Sequence, residues 1–562
     1  TLYDIFPVER EKERLKKHIE KLQSLGFLDV EGEGKNKKYI FQHVIIQEVS
    51  YQLMLHQQRS KLHQDVAAWY EESFRILDPY VGLLAHHYSN AGPTKAEEAF
   101  DYIDKAGEAA LQAGAAREAT EFYLGALELF EKLDDSAKPK ETWRKASWQR
   151  HLSDAFFAMG NRKDSVIYAN DALESIGSTQ PKSILGWKAL TLKSLLVFHF
   201  RRLFPLDFFW VKSKETGRVL TEFSYAARRL AELYYLEYRE LPMLGISLLA
   251  VNKGNRVRNF SGAPYSYAML GQIYGIRGRH RQATRYFKLS RAMAEKLNRP
   301  GAMIFSSNAH IGYLAGTGAL APLTDMVSDS VDLSEIYGDR QDAETSWVLK
   351  SHVQYFSGQM ESSIETAQLA IDSARERGNR QNEAQAEIAK ARALIATGNF
   401  VVAVDSLNRV KSNLRGLSDV ASELVCFGLL GLALIRLGKL GEARVEAMEC
   451  LARCKSCEAV AFSTLHGYEA VAEVCLVLWQ EARKQKSRYT KSLAEHAQHA
   501  LSYLENFTSR FPVGRPSLIL LKARRAIVSD DIRKAGKFLD LAMTESRRVK
   551  IPYIEAQVVF EL

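Results

Sequence analysis

The sequence predicts an all-α protein in which paired helices stack into a right-handed solenoid, preceded by a small module with one β-hairpin. Three observations predict this fold: recurring glycine turns, a period near 40 residues, and small residues at fixed places beside each turn. A helix pair cannot bury its apolar face alone, so pairs repeating at about 20–50 residues stack into solenoids. The chain has 562 residues, which is too long for one hydrophobic core. Of these residues 46% are hydrophobic, a share typical of globular proteins.

The clearest unit surrounds Gly278, which suits the left-handed conformation that often ends a helix. Gly271 and Ala283 lie where two antiparallel helices approach most closely, and a small side chain is needed there. The pattern resembles the tetratricopeptide repeat, although its spacing exceeds the standard repeat of about 34 residues. We therefore predict first tetratricopeptide-like repeats over 79–220, central repeats over 221–460 and C-terminal repeats over 461–562. The same frame fits six further turns, at positions 114, 160, 358, 398, 438 and 530.

Residues 1–78 carry a different pattern. Leu15, Ile19 and Leu22 mark one face of a helix over 9–24, and the stretch EGEGKNKK then separates two strand-like segments. Two short strands around a Gly-rich charged tip predict a β-hairpin. Two more helices follow, near 44–56 and 59–76. Helix, hairpin and helix in this order indicate a winged-helix module, whose mixed charge does not predict DNA binding.

A longer motif begins at the second predicted strand, where YIFQHVIIQEVSYQLMLHQQRSKLHQ carries Phe-x-His, Glu-Val-x-Tyr and Arg-x-x-Leu-His. It resembles the winged-helix end of STAND-class signalling ATPases, in particular those that follow class III adenylate or guanylate cyclase domains, including the soluble adenylyl cyclases. The resemblance runs from residue 1 to about 440. It implies that the cyclase and ATPase modules precede Thr1 and act in cis with this chain. The residues that carry it are Phe41, His43, Glu48, Val49, Tyr51, Arg59, Leu62 and His63.

The resemblance gives His43 a candidate role. In related STAND proteins a histidine at the start of the helix after the wing reaches the phosphates of the bound nucleotide, and the alternative is a packed structural histidine. His63, His86 and His87 are interpreted as structural. The sequence has no GxxxxGK[ST] motif, so ATP or ADP is expected on the upstream ATPase module and no cofactor is expected in this chain.

The sequence predicts neither a catalytic site nor a metal site in this chain. It contains no GxSxG or HExxH motif, and Cys454 and Cys457 lack a second close cysteine pair. Five cysteines without a regular framework favour a reducing, cytoplasmic setting. No run of 18 apolar residues predicts a transmembrane helix.

Positive charge is concentrated in residues 241–300, which contain eleven Lys or Arg and one acidic residue. That segment therefore carries 11 − 1 = +10, more than the +9 of the whole chain. Arg281, Arg285 and Lys288 share one helix face, and Arg277 lies just before it. This surface is either a solvated outer face or a basic patch for an acidic protein domain, nucleic acid or anionic lipid. Few aromatic residues interleave with it, which argues against single-stranded nucleic acid.

Two functions follow from the sequence. The first is a regulatory, protein-interaction arm of a cytosolic cyclase–ATPase signalling protein, with an unknown protein partner on the solenoid. The alternative is the ligand-sensing solenoid of a STAND-type transcription regulator. That alternative needs a helix-turn-helix effector, whereas the C-terminal segment resembles one more repeat.

Overall fold

A computed structural model describes residues 9–32, 37–134, 142–201, 203, 209–237, 239–337, 340–416, 419–457, 459 and 461–562. The chain divides into two compact units, Thr1–Trp148 and Gln149–Leu562. The tip of the predicted hairpin, 33–36, lies outside the described residues. None of the described helices is long and apolar enough to cross a membrane.

The first unit begins with a short 3-10 helix, Glu9–Arg14, and then follows the predicted order of helix, hairpin and two helices. The two strands are antiparallel, with Leu28 opposite Phe41. They are the only strands among the described residues. The elements are α1 (Leu15–Ser24), β1 (Leu28–Glu31), β2 (Lys38–Phe41), α2 (Val44–Gln52), α3 (His56–Ser73), α4 (Val81–Ser89), α5 (Ala96–Gln112), α6 (Ala116–Lys132) and the first part of α7 (Thr142–Ala158).

Of the two helices after the hairpin, the first begins at the predicted residue 44 but ends at Gln52 instead of 56, and the second begins and ends three residues earlier than the predicted 59–76. The observed break lies at residues 53–55, because the backbone N–H of Leu55 donates to the side chain of Gln58 at 2.9 Å and caps α3. Whether the module is a winged helix stays a prediction.

The second unit continues α7 and consists of further helix pairs in chain order. Among its described residues there is no strand, as the sequence predicted. Its helices are α8 (Arg162–Ser175), α9 (Ile184–Arg201), α10 (Lys214–Leu236), α11 (Glu240–Gly254), α12 (Ala263–Ile276), α13 (His280–Lys296), α14 (Pro300–Thr317), α15 (Leu323–Tyr337), α16 (Arg340–Phe356), α17 (Met360–Glu376), α18 (Arg380–Ala396), α19 (Phe400–Asn413), α20 (Val420–Arg436), α21 (Leu440–Ser456), α22 (Leu465–Lys484), α23 (Thr490–Arg510), α24 (Arg515–Val528), α25 (Ile532–Val549) and α26 (Pro552–Glu561).

The predicted turns are confirmed. Each joins the two helices of one pair, and each residue at its centre has a left-handed backbone, which glycine adopts without strain. Asp530, the one predicted turn without glycine, has φ of +61°. The glycines are Gly114, Gly160, Gly278, Gly358, Gly398 and Gly438, with φ between +69° and +82°.

Small residues separate the helices of a pair, as the register predicted. A Cβ atom added at Gly271 in α12 would lie 2.8 Å from the ring of Phe287 in α13, so no larger residue fits there. Between α16 and α17 the two hydroxyls of Ser351 and Ser363 lie 2.9 Å apart and fully buried. Close helix contact at these positions fixes the pairs as tetratricopeptide-like.

The repeat frame missed three pairs. α10–α11, α14–α15 and α22–α23 are also antiparallel neighbours in contact. The α14–α15 turn uses Gly318 at φ +80°, and the α22–α23 turn uses Lys486 at φ +51°. Gly318 lies 40 residues from both Gly278 and Gly358, so it continues the period although the frame left it out. Lys486 lies 48 residues after Gly438 and is not a glycine, so periodicity could not find that turn.

The second unit also closes on itself. Arg162, the first residue of α8, donates from Nε to Oε1 of Gln381 at 2.8 Å and from Nη2 to Oδ2 of Asp419 at 3.1 Å. All three side chains are buried. This contact, named here the Arg162 clamp, joins α8 to α18 and to the N-terminus of α20 across more than 200 residues of chain.

Candidate ligand-binding cavity

The second unit contains a partly open cavity of about 290 Å³. Its walls come mainly from the first helix of seven consecutive pairs, namely α10, α12, α14, α16, α18, α20 and α22. The cavity therefore lies along the common inner side of the repeats, where a ligand would contact many of them at once.

Both amide and apolar side chains line the cavity wall. Gln272, Gln341 and Gln385 contribute amides, and each of these groups can both donate and accept hydrogen bonds. Phe305 and Ile388 also line the wall and supply apolar contact. Such a surface matches a ligand that has its own donors, acceptors and apolar groups, as a peptide segment does.

One end of the cavity is formed by a buried guanidinium group. Arg392 on α18 is 2% exposed, and its Nη1 donates to Nδ1 of His352 on α16 at 2.5 Å. The guanidinium carbon lies 3.9 Å from the centre of the Tyr355 ring. Its Nε and Nη2 are buried and have no hydrogen-bond partner among the described residues. Arg392 thus holds two unused donors at the cavity end.

Two histidines complete this end, and one of them contacts a carboxyl group behind the cavity lining. His466 on α22 stacks parallel to His352 with ring centres 6.0 Å apart, and its Nδ1 lies 3.0 Å from Oε2 of Glu469. Its Nε2 is buried without a partner in the described structure. Arg392, His352 and His466 all line the cavity. They are called the Arg392 site below.

Burial sets the charge of the Arg392 site. Burial lowers the pKa of Arg392 to about 10 and, together with the nearby guanidinium, holds the pKa of His352 and His466 well below their usual value. Burial raises the pKa of Glu469 to about 7. At neutral pH the site therefore presents one cation and two neutral imidazoles, with a carboxyl group that is partly protonated.

Other buried arginines in the described structure are directly paired with carboxylates. Arg377 donates to both oxygens of Glu344 at 2.8 and 2.7 Å. Arg162 contacts Asp419, and Arg144 contacts three acidic residues. Arg392 has no carboxylate oxygen within 4.0 Å among the described residues. Glu469 interacts with Arg392 electrostatically from a greater distance, and its raised pKa leaves it only partly ionised at neutral pH. A buried cation without a directly bonded counter-ion is costly, so this position indicates a site for an anion.

The structure places His43 where the sequence predicted it. His43 is exposed, immediately precedes α2 and makes no capping hydrogen bond with its side chain. Its role as a nucleotide sensor stays a prediction. α2 has no buried residue, and Val44, Ile45 and Leu53 leave 76%, 73% and 80% of their surfaces exposed.

The basic patch is only partly a single surface. Arg281, Arg285 and Lys288 are all exposed on α13, on the side opposite its buried residues. Arg277 instead lies in the turn after α12, where its Nε donates to Oε1 of Glu240 at 2.6 Å. Arg277 therefore belongs to an ion pair, while the other three share a solvent-exposed face.

Sequence reasoning missed the Arg392 site, although one signal could have found it. His352 and Arg392 are 40 residues apart, which is the period of the central repeats. They occupy the same place on the first helices of neighbouring pairs. Polar residues at an inward repeat position, where small or apolar residues are expected, mark a ligand site.

No family model matches the chain, and no curated protein sequence matches it. Three solved structures are similar to it in outline. A Rap protein complexed with competence and sporulation factor is 9% identical, with a TM-score of 0.41 over 65% of this chain and 99% of the other. The Cut9–Hcn1 complex of the APC/C is 12% identical, with a TM-score of 0.39 over 99% of both chains.

The third structure is a STAND protein with a tetratricopeptide-repeat sensor, from Pyrococcus horikoshii. It is 12% identical, with a TM-score of 0.38 over 90% of this chain and 71% of the other. At these TM-scores none of the three likenesses carries an argument. The assignment of stacked helix pairs therefore depends on the turns and close contacts of this chain.

Proposed function

We propose that this chain is a binding arm of a signalling protein, whose cavity takes a short peptide segment that presents a carboxylate to the Arg392 site. The observation that supports this proposal is the unpaired, buried guanidinium of Arg392. A carboxylate there would accept charge-assisted hydrogen bonds from Nε and Nη2, which share the planar geometry of a carboxylate. It would also supply the missing counter-charge.

The remaining walls favour a peptide over a small inorganic anion. The cavity is about 290 Å³ and extends past seven helices, so a single ion would leave most of it unused. Gln272, Gln341 and Gln385 can bond to backbone amides of an extended segment. The proposal is one of binding: the hydroxyl of Ser422 on the wall donates to Asp419 at 2.8 Å, and that carboxylate is already held in the Arg162 clamp.

The proposal extends to the first unit. The motif around His43 resembles STAND ATPases that follow cyclase domains, so an ATPase module with bound ATP or ADP would precede this chain and contact α2. Support comes from the exposed apolar side chains of Val44, Ile45 and Leu53, which would be covered by such a module. Ligand binding in the second unit would then regulate that module, and through it a cyclase.

Two peptide pools test the cavity proposal. The first contains random N-acetylated hexapeptides with a free C-terminal carboxylate. The second contains N-acetylated hexapeptides that have an amidated C-terminus and no Asp or Glu. The immobilised full chain should retain the first pool and not the second, and retained peptide is measured by mass spectrometry. Arg392→Gln should weaken binding of retained peptides about 10- to 100-fold, because it removes charge-assisted hydrogen bonds.

Arg409→Gln is the matched control, since Arg409 is exposed on α19 and does not line the cavity. It should bind peptides as the unsubstituted chain does. Equal retention of both pools, retention that Arg392→Gln does not change, or retention of neither pool would each contradict the proposal.

A further inference from the structure

Three histidines of the first unit face one another between α3 and α4. His63 lies on α3, and His86 and His87 lie on α4. Their ring centres are 5.6, 5.1 and 5.4 Å apart in the three pairs. One ligand nitrogen from each ring lies within 4.8 Å of the other two. This group is called the His63 cluster.

The closest pair of nitrogens in the His63 cluster holds a single proton. Nδ1 of His63 and Nδ1 of His87 are 2.8 Å apart, so one ring must donate and the other accept. Imidazole binds a metal ion through an unprotonated nitrogen, so the position between these two nitrogens is one that an ion can take in place of the proton.

From this geometry we infer that the His63 cluster binds one divalent transition-metal ion, with Zn²⁺ as the best fit. In a tetrahedral zinc site with Zn–N distances of about 2.0–2.1 Å, ligand nitrogens are about 3.3 Å apart and ring centres about 5 Å apart. The observed ring centres already have that spacing. The ion would take the place of the proton between His63 and His87, with a small opening of the two rings.

The surroundings of His63 fit a metal ligand. With the ion on Nδ1, its Nε2–H would donate to the hydroxyl of Tyr51, which lies 2.8 Å away. A partner of this kind orients a ligating histidine and fixes its tautomer. The guanidinium of Arg59 lies over the Tyr51 ring, 5.2 Å from its centre, and helps to hold that ring in place. Tyr51 is therefore a positioning residue and not a ligand.

Access to the cluster comes from His86. Its side chain is exposed, whereas His63 is 7% exposed and His87 is half-buried. The described residues bring no fourth protein ligand to the group of three. The fourth position would be open to water on the His86 side, as in zinc sites with three histidines.

The sequence predicted no metal site and a structural role for all three histidines. His63 and His87 are 24 residues apart on different helices, so they form no short ligand motif. A purely structural role is the competing explanation, in which the rings only pack α3 against α4. The two explanations differ in whether the cluster takes up an ion.

Metal titration of the full chain tests the inference. After dialysis against a chelator, Co²⁺ is added while visible absorption is followed, and Zn²⁺ is then added in competition. We expect saturation at one ion per chain, a d–d spectrum of low coordination number and a higher melting temperature with Zn²⁺. Loss of a hydrogen-bond partner of a ligating histidine weakens metal binding about 10- to 100-fold. His86→Gln and His87→Gln each remove a ligand itself, so each should weaken metal binding by more than that.

His56→Gln is the control, because His56 is exposed at the start of the same helix and lies outside the cluster. It should not change the affinity. Tyr51→Phe should weaken binding about 10-fold while leaving the stoichiometry at one. His86→Gln decides the question if His87→Gln fails to fold, because only an exposed ring is lost. Lack of saturable binding, or binding that survives the His86→Gln/His87→Gln double substitution, would overturn the inference.

Discussion

The guanidinium of Arg392 packs against the face of Tyr355, with its central carbon 3.9 Å from the ring centre. The ring supports the cation through its π-electrons and the buried phenol stays neutral, because burial holds the pKa of Tyr355 well above its usual value. A tyrosine face does not replace a counter-ion, however. A bound anion would therefore stabilise the Arg392 site more than its present contacts do.

Substitution of Arg392 should stabilise the empty protein. Arg392→Met keeps the length of the side chain and removes a buried charge that contacts His352 and Tyr355 but no carboxylate, so we expect the free energy of unfolding to rise by about 1 kcal/mol. Urea unfolding without ligand measures this change. A loss of stability above about 2 kcal/mol would show that Arg392 is a structural residue.

Arg377→Met provides the opposite case on the neighbouring helix pair. It would leave Glu344, which is 1% exposed, with hydrogen bonds from Ser373 and Asn382 but without a counter-charge. We expect it to lower the free energy of unfolding by about 3–5 kcal/mol. Similar effects of Arg377→Met and Arg392→Met would contradict the distinction between a structural pair and a ligand site.

Acid should weaken the protein partly through His310. Burial, and then Lys288, lower its pKa from 6.5 to about 4, while its ring stacks 4.7 Å from that of Phe287. The unfolded chain therefore takes up a proton at higher pH than the folded chain does. The stabilisation is complete above pH 6.5 and is lost as the pH falls towards 4, by on the order of 2–3 kcal/mol.

Urea unfolding between pH 7.5 and pH 4.5 would test this effect in the unsubstituted chain and in His310→Gln. The stability difference between the two should shrink as the pH falls, because only the histidine titrates. A difference that stays constant over this range would contradict the assigned direction of the pKa shift.

Gly271 should not tolerate even one added methyl group. Gly271→Ala would place Cβ 2.8 Å from the Phe287 ring, which is itself fully buried, so α12 and α13 would have to separate. We expect a loss of about 1–3 kcal/mol in the free energy of unfolding. Gly536→Ala is the control, because nothing lies within 4 Å of its Cβ position, and it should gain about 0.5–1 kcal/mol.

His43 should affect coupling and not stability. His43→Ala removes an exposed side chain without a capping bond, so the unfolding free energy of this chain should change by less than about 0.5 kcal/mol. In the proposed longer protein with its ATPase module, the same change should weaken the nucleotide-bound state about 10- to 150-fold. Nucleotide dissociation rates measure that effect, and an unchanged rate would exclude the sensor role.

The sequence predicts the structural features that recur in every helix pair and misses the sites that occur once in the chain. Gly278 and its equivalents report the turn, and Gly271 reports the close contact, because every helix pair needs both. The Arg392 site depends on one arginine whose neighbours come from three helices, and His466 lies outside the spacing of His352 and Arg392. The His63 cluster likewise combines residues from two helices, and their approach depends on packing that no local pattern encodes.

The Arg162 clamp has a consequence for the order of events during synthesis. A loop this long closes slowly and at an entropic cost, so the intervening pairs must stack first. Asp419 is added 257 residues after Arg162, and until it leaves the ribosome the guanidinium has no acidic partner in the clamp. The nascent chain is thus an open row of pairs, and its cavity becomes complete only after most of the polypeptide has been made.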